Sequence, residues 1–172
     1  SYWVMPALRE FAEVDPNGPW RRLLLDGERL LRDARFGDHD LPPDWLTVHQ
    51  DGRLQVAEDW PPRFGFEAIR VPLYVVWAGR QSDSIMDPIR AYWQSPVGGR
   101  PAAWINVITG DTADYPLSRG GMAVRSLLIG MPGKLPEQIR SEDDYYSASL
   151  LILSMLAAFL PEPSLSQATP TQ

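Results

Sequence analysis

The sequence contains no cysteine, which removes disulfides, thiolate metal sites and a cysteine nucleophile at once and leaves the compartment open. Its two histidines, His39 and His49, sit in polar, loop-like surroundings and form no metal-ligand pair, which argues against a zinc site. There is no run of Lys or Arg, and the net charge is −6, so no stripe is available to track a polyanion and a nucleic-acid partner is not expected. No long apolar run is present either. The longest, Leu150 to Leu160, is interrupted by Ser154 and is too short to span a bilayer. A phosphate loop, a dinucleotide fingerprint and a Gly-x-Ser-x-Gly elbow are all missing, and no cofactor is expected. The opening Ser1-Tyr2-Trp3-Val4-Met5-Pro6 has no initiator methionine, signal peptide or targeting segment and reads as the interior of a longer polypeptide.

What is present is enough for one domain with a sizeable core: 172 residues, of which 44% are hydrophobic. Proline (17) and tryptophan (7) are abundant. Dispersed Trp and Tyr suit a sugar-binding cleft, because pyranose rings present apolar faces to aromatic planes, although taken singly a tryptophan reads first as a large core residue.

In chain order, Val4, Met5, Leu8, Phe11 and Ala12 keep a helical period over residues 3–14, which Asp15-Pro16-Asn17-Gly18-Pro19 stops. Residues 20–36 place Trp20, Leu23, Leu24, Leu30, Leu31 and Ala34 on one stripe, a second helix that Gly27 weakens. The segments 45–48 and 53–56 alternate around Asp51-Gly52 and predict a small hairpin. Ser82, Asp83 or Ser84 can cap a helix through Ile85, Met86, Ile89, Tyr92 and Trp93. Residues 104–108 alternate like a short strand, another helix begins near Gly120-Gly121 and runs to Met131, and a last one spans about 144–160 behind the capping signal Ser141-Glu142-Asp143-Asp144. Asp143 and Asp144 are most simply acids at a helix end. The Pro, Ser and Thr rich tail from Pro161 to Gln172 is expected to be mobile. The class is mainly α, about six helices with one or two small β-hairpin insertions.

The stretch from Phe64 to Gly79 organises the rest. Glu67 and Arg70, its charged pair ahead of an apolar run, are expected on one face at the start of a helix that carries Leu73, Val75, Val76 and Trp77 inward. An acid at the mouth of a buried helix is where a titratable working group would sit. The same spacing is equally what a structural ion pair at a helix start shows.

The order Ser1-Tyr2 with Pro6, then Pro43-Asp44-Trp45, then Phe66-Glu67-Ala68-Ile69-Arg70-Val71, then Val107-Ile108-Thr109-Gly110, then Asp143-Asp144-Tyr145-Tyr146 with Leu150, resembles the carboxy-terminal half of glycoside hydrolase family 8, over residues 1–160. The resemblance is nearest to bacterial endoglucanases encoded with cellulose synthase. It implies half of an (α/α)6 barrel, a cleft lined by aromatics, and inverting hydrolysis of β-1,4-glucan such as cellulose. It implies Glu67 as the general base that deprotonates the attacking water, with the positive charge of Arg70 favouring the ionised carboxylate. Tyr145 and Tyr146 match a tyrosine pair near the family's cleft, and Tyr2 matches a further cleft-side aromatic. The general acid falls on the amino-terminal half of the barrel, outside these residues. Inversion needs the two carboxyls about 6.5–9.5 Å apart, so that a water fits between the base and the anomeric carbon.

One departure concerns the base itself. Family cellulases carry Asp where this chain has Glu67, and the extra methylene moves the carboxylate on the order of 1 Å toward the substrate, a misplacement that can cost roughly a hundredfold in rate. Half a barrel would also expose the apolar sides of its inner helices, so a partner surface is expected, either the amino-terminal half or a second copy. The competing reading is a non-catalytic domain that binds polysaccharide or acts as a scaffold. Relatives that act on chitosan, xylan or mixed-linkage glucans leave the substrate open, and the resemblance implies a periplasmic or secreted protein.

Overall fold

A computed structural model describes residues 3–94, 100–131, 133 and 135–159. Tyr2, Ser95 to Gly99 and the whole 161–172 tail therefore lie outside the described residues. Among the described residues six α-helices dominate: α1 (Met5–Val14), α2 (Trp20–Asp33), α3 (Arg70–Trp77), α4 (Asp87–Gln94), α5 (Arg119–Leu128) and α6 (Tyr145–Phe159). Four short strands, β1 (Leu46–Val48), β2 (Leu54–Val56), β3 (Arg63–Phe64) and β4 (Ile105–Asn106), make two antiparallel pairs. Among the described residues no helix is long and apolar enough to cross a membrane.

The local signals explain most of these elements. Asp51-Gly52 turns the chain between β1 and β2, Gly52 adopting φ 85°, and Leu46 pairs with Val56 and Val48 with Leu54. Asp83 Oδ1 accepts the Ile85 amide at 3.0 Å and starts a 3₁₀ turn, Ser84–Met86, that runs into α4. Ser118 Oγ accepts the Gly121 amide at 3.1 Å and caps α5. Asp144 Oδ1 does the same for α6, taking the Ser147 amide at 2.7 Å.

α3 is the central helix: Val71, Pro72, Leu73, Val75 and Val76 are buried, and it packs against α1, α5 and α6. Pro72 is tolerated because it falls in the first turn, where its missing N–H has no intrahelical partner. α5 and α6 lie close together over Gly120, whose amide donates to Ser147 Oγ at 3.0 Å and where a Cβ would come within 2.3 Å of the Ser147 carbonyl oxygen. α2 rests on the core through Trp3, whose indole fills the space beside Gly27. On α6, Ile152, Leu156 and Phe159 share one face and are exposed, Phe159 to 80%.

Two expectations need correction. The apolar stretch from Phe64 is not one helix with Glu67 on its first turn. It divides into β3, a turn over 65–69, and α3 beginning at Arg70, so Glu67 precedes the helix. The second helix ends at Asp33 instead of continuing to Phe36, because Phe36 turns away to pair with Leu41, each donating its amide to the other's carbonyl at 3.1 Å. The strand expected at 104–108 exists in shortened form as β4, and its partner is the distant β3, with Arg63 opposite Asn106 and Phe64 opposite Ile105.

Candidate active site

The turn between β3 and α3 carries the site. Its backbone is held by one side chain from another part of the chain: Asp44 Oδ1 accepts the amides of Gly65 at 3.1 Å, Glu67 at 3.0 Å and Ala68 at 2.8 Å. Those are donors that neither β3 nor α3 can satisfy, and Ile69, the residue at the helix N-cap, supplies no side-chain cap of its own. Asp44 thus fixes the turn ahead of α3, and the turn in turn satisfies the first amides of the helix, Arg70 N donating to the Glu67 carbonyl at 3.2 Å and Val71 N to the Ala68 carbonyl at 3.0 Å. Burial is the largest influence on its carboxyl and raises it. The three amide bonds pull the other way, the charge on Glu67 adds to the rise, and the net shift is upward. At Gly65 a Cβ would lie 2.8 Å from the Trp104 Cβ, so a glycine lets the turn sit against β4's neighbour.

Fixed in this way, Glu67 places Oε2 2.5 Å from Arg70 Nη1. The two side chains are 22% and 23% exposed, which leaves the pair reachable from solvent but not bathed in it. For the Arg70 guanidinium, burial is the largest single influence and acts downward, while the charge and the hydrogen bond of Glu67, with smaller contributions from Tyr146 and Tyr74, act upward, and the net shift is upward, so the group stays in its charged form.

Tyr146, at the start of α6, closes the other side. Its hydroxyl donates to the Phe66 carbonyl oxygen at 2.5 Å, its ring meets Phe66 edge-on with centroids 6.0 Å apart, and Arg70 Cζ lies 5.9 Å from the ring centroid. Burial raises the phenol well above its usual range. Arg70 opposes this, and the carboxylates of Asp44, Glu67 and Asp144 add to it, so the hydroxyl remains a neutral donor across the physiological range. Tyr74 is likewise raised by burial, with Arg70 opposing and Glu67 adding.

The structure therefore brings Glu67, Arg70 and Tyr146 together. Tyr145, adjacent in sequence, is 89% exposed with its side chain outside this cluster of contacts, and Tyr2 lies outside the described residues. Asp144 is the α6 cap, and Asp143 pairs with Arg119 while accepting the Arg140 amide at 2.9 Å, its side chain only 3% exposed. The tryptophans divide: Trp93 is core, Trp45 and Trp60 stack with centroids 4.7 Å apart, and Arg63 lies over Trp104 at 4.5 Å. Sequence reasoning missed Asp44 as a member of the site. Its only signal was its place between Pro43 and Trp45, a motif without a spacing rule to Glu67. Among the described residues no group of three or more His, Asp or Glu side chains is arranged to hold a metal.

Chemically, the arrangement is a half-buried carboxylate on a rigid turn, hydrogen-bonded to a permanent cation and flanked by a neutral phenol. It can accept a proton from a group approaching the open side.

Comparison with known proteins gives one consistent answer. The model of the glycosyl hydrolases family 8 matches residues 1–159. A probable endoglucanase of Novacetimonas hansenii is 36% identical over 159 residues, covering 91% of this chain and 46% of that protein. An endoglucanase of Cellulomonas uda is 41% identical over 132 residues, covering 77% of this chain and 36% of that protein. Among solved structures, endoglucanase Cel10 of Klebsiella pneumoniae superposes with a TM-score of 0.87 at 42% identity, covering 94% of this chain and 51% of that one. The chain thus spans about half the length, or less, of the relatives it matches.

Proposed function

The chain belongs to the glycosyl hydrolases family 8, and from that premise we propose that the polypeptide carrying it hydrolyses β-1,4-glucan with inversion, Glu67 acting as general base. The observation that carries the reading is the Glu67–Arg70 pair, with its 2.5 Å contact, on a turn three of whose amides are fixed by Asp44. A base in an inverting glycosidase must hold a water against the anomeric carbon, and such precision needs a carboxylate that cannot drift. Asp44 supplies that restraint through the backbone and Arg70 through the side chain.

In the proposed step the water sits on the open side of Glu67, its oxygen attacks the anomeric carbon, and its proton passes to the carboxylate while the glycosidic oxygen leaves with a proton from the general acid. That acid belongs to the amino-terminal half of the barrel, with its carboxyl about 6.5–9.5 Å from Glu67. The exposed face of α6 at Ile152, Leu156 and Phe159 is a suitable surface for that half to cover. Arg70 remains charged and keeps the base in register. Tyr146 has its hydroxyl committed to Phe66, so its contribution to sugar binding is the ring. Tyr145, freely exposed, and Tyr2 are the further aromatics for the glucan chain. A substrate of this kind is met in the periplasm or outside the cell.

Glu67→Gln tests the reading. The amide is isosteric and cannot take the proton, so hydrolysis of a soluble cellulose derivative by the complete barrel should be abolished while binding is kept. Turnover that survives the change ends the assignment, and a protein that binds but never hydrolyses, with either residue, is the non-catalytic polysaccharide-binding domain instead. Parallel assays on chitosan, xylan and mixed-linkage glucan decide the substrate within the family.

A further inference from the structure

A concavity of about 920 Å³ lies apart from this cluster: neither Asp44, nor residues 65–70, nor residues 144–146 line it. Its size falls in the range of small-ligand sites, about 300–1,000 Å³. Its walls are built from backbone that is already paired. One is the Phe36–Leu41 turn, closed by two amide bonds of 3.1 Å, which holds Asp38, His39 and Asp40 at its tip, Asp40 in the left-handed region at φ 52°. Facing it is the segment 101–117, whose limbs are tied by Ala103 N to Tyr115 O at 3.0 Å, Ala113 N to Trp104 O at 3.0 Å and Leu117 N to Pro101 O at 2.8 Å. One face of α4 closes the third side, where the Tyr92 ring lies 5.2 Å from that of His39 and edge-on to Phe64 at 6.2 Å.

The chemistry of the lining is mixed in a telling way. Arg35 and Arg100 both line the cleft and are in no ion pair among the described residues, while Asp38, Asp40 and Asp114 line it with them, as does Asp87, which is paired with Arg90. A polyanion would meet the carboxylates and a polycation the guanidinia. A neutral polyhydroxylated chain satisfies both, since each hydroxyl can donate to a carboxylate and accept from a guanidinium. Tyr115, 47% exposed, and the half-buried Tyr92 add ring surface for the apolar face of a pyranose.

We infer that this cleft is a second glucan-binding site, which holds a stretch of the polymer away from Glu67 between the Tyr92 and Tyr115 rings and the Arg35, Arg100, Asp40 and Asp114 side chains. The identity of the sugar rests on the function proposed above; the existence of the site does not. Phe64 touches Tyr92 from β3, and β3 runs directly into the Glu67 turn, so polymer held here is anchored to the same short strand that precedes the base.

The test is a titration of the complete barrel that carries this chain with cellopentaose, followed by backbone amide NMR. Shifts at residues 38–40 and 112–115 are expected as a set separate from any at 65–70 and 145–146. Tyr115→Ala should weaken the first set about tenfold, the loss of one ring contact, and leave the second unchanged, while Tyr115→Phe keeps wild-type affinity. Absence of shifts at 38–40 and 112–115 at millimolar cellopentaose overturns the inference whatever happens near Glu67, as does Tyr115→Ala binding with unchanged affinity. Shifts in the cleft with none near Glu67 would sustain this site and count against the proposed active site alone.

Discussion

Asp44 and Glu67 stand 23 residues apart in the chain, and the carboxylate of the first accepts the backbone N–H of the second at 3.0 Å. Through that bond and its two neighbours, a residue that touches no substrate in the proposed reaction sets where the base stands. Asp44 is therefore a positioning residue.

Asp44→Ala should remove the acceptor for the amides of residues 65, 67 and 68 together and cost about 1–3 kcal/mol of stability, the penalty for buried donors left unpaired. Asp44→Asn keeps an acceptor oxygen in place and should cost less. Denaturant unfolding reads the stability, and hydrogen exchange at the Glu67 and Ala68 amides reads the turn. Unchanged exchange in the alanine variant would mean the turn holds itself.

Glu67→Asp keeps the charge but draws the carboxylate back on the order of 1 Å from Arg70, in a turn set for the longer side chain. The complete enzyme should lose about a hundredfold in kcat with KM little changed. An equal or faster aspartate variant would show that the surroundings do not compensate for glutamate. Arg70→Lys keeps the charge and loses the planar fork, and should fall between wild type and Glu67→Asp in kcat.

Tyr146→Phe removes the 2.5 Å bond to the Phe66 carbonyl and should cost about 1 kcal/mol near neutral pH. The sign with pH follows from the upward shift of the phenol. Its contribution is fully present below the unfolded value of about 10 and is lost as pH rises through the folded value. Wild type should therefore lose stability above about pH 10 more steeply than the phenylalanine variant. Parallel slopes in thermal unfolding across that range would remove Tyr146 from the balance.

Gly120→Ala would drive a methyl to within 2.3 Å of the Ser147 carbonyl oxygen, which belongs to backbone and cannot rotate away. α5 and α6 must then separate, at a cost of about 1–3 kcal/mol. A lower melting temperature with native circular dichroism is the expected result; an unchanged one would show that the two helices have room to slide.

Much of the helical framework could be read residue by residue. The helical period over 3–14, the Asp51-Gly52 turn and the capping signals at 82–84 and 141–144 are decided within a few residues of themselves, and the structure agrees with each; the helix expected over 20–36 forms but ends at Asp33. The family motifs likewise marked Glu67, Arg70 and Tyr146 as a group. Tyr145 and Tyr146 carried the same motif signal, yet one is 89% exposed and the other lies against Arg70, because successive residues on a helix point about 100° apart and only packing on Phe66 selects between them.

What the sequence by itself determined is where the helices lie and which residue types meet along them, since propensity, periodicity and capping act over one or two turns. The tertiary structure alone decided that Glu67 stands before its helix and not on it. The apolar run from Phe64 is compatible with strand, turn or helix. The pairing of β3 with β4 and the capture of three amides by Asp44 are contacts between residues more than 20 positions apart, which satisfy the backbone as a turn at 65–69 and start the helix at Arg70. No local period records such a contact, because its energy is realised only when the distant strand and carboxylate have been brought to the place.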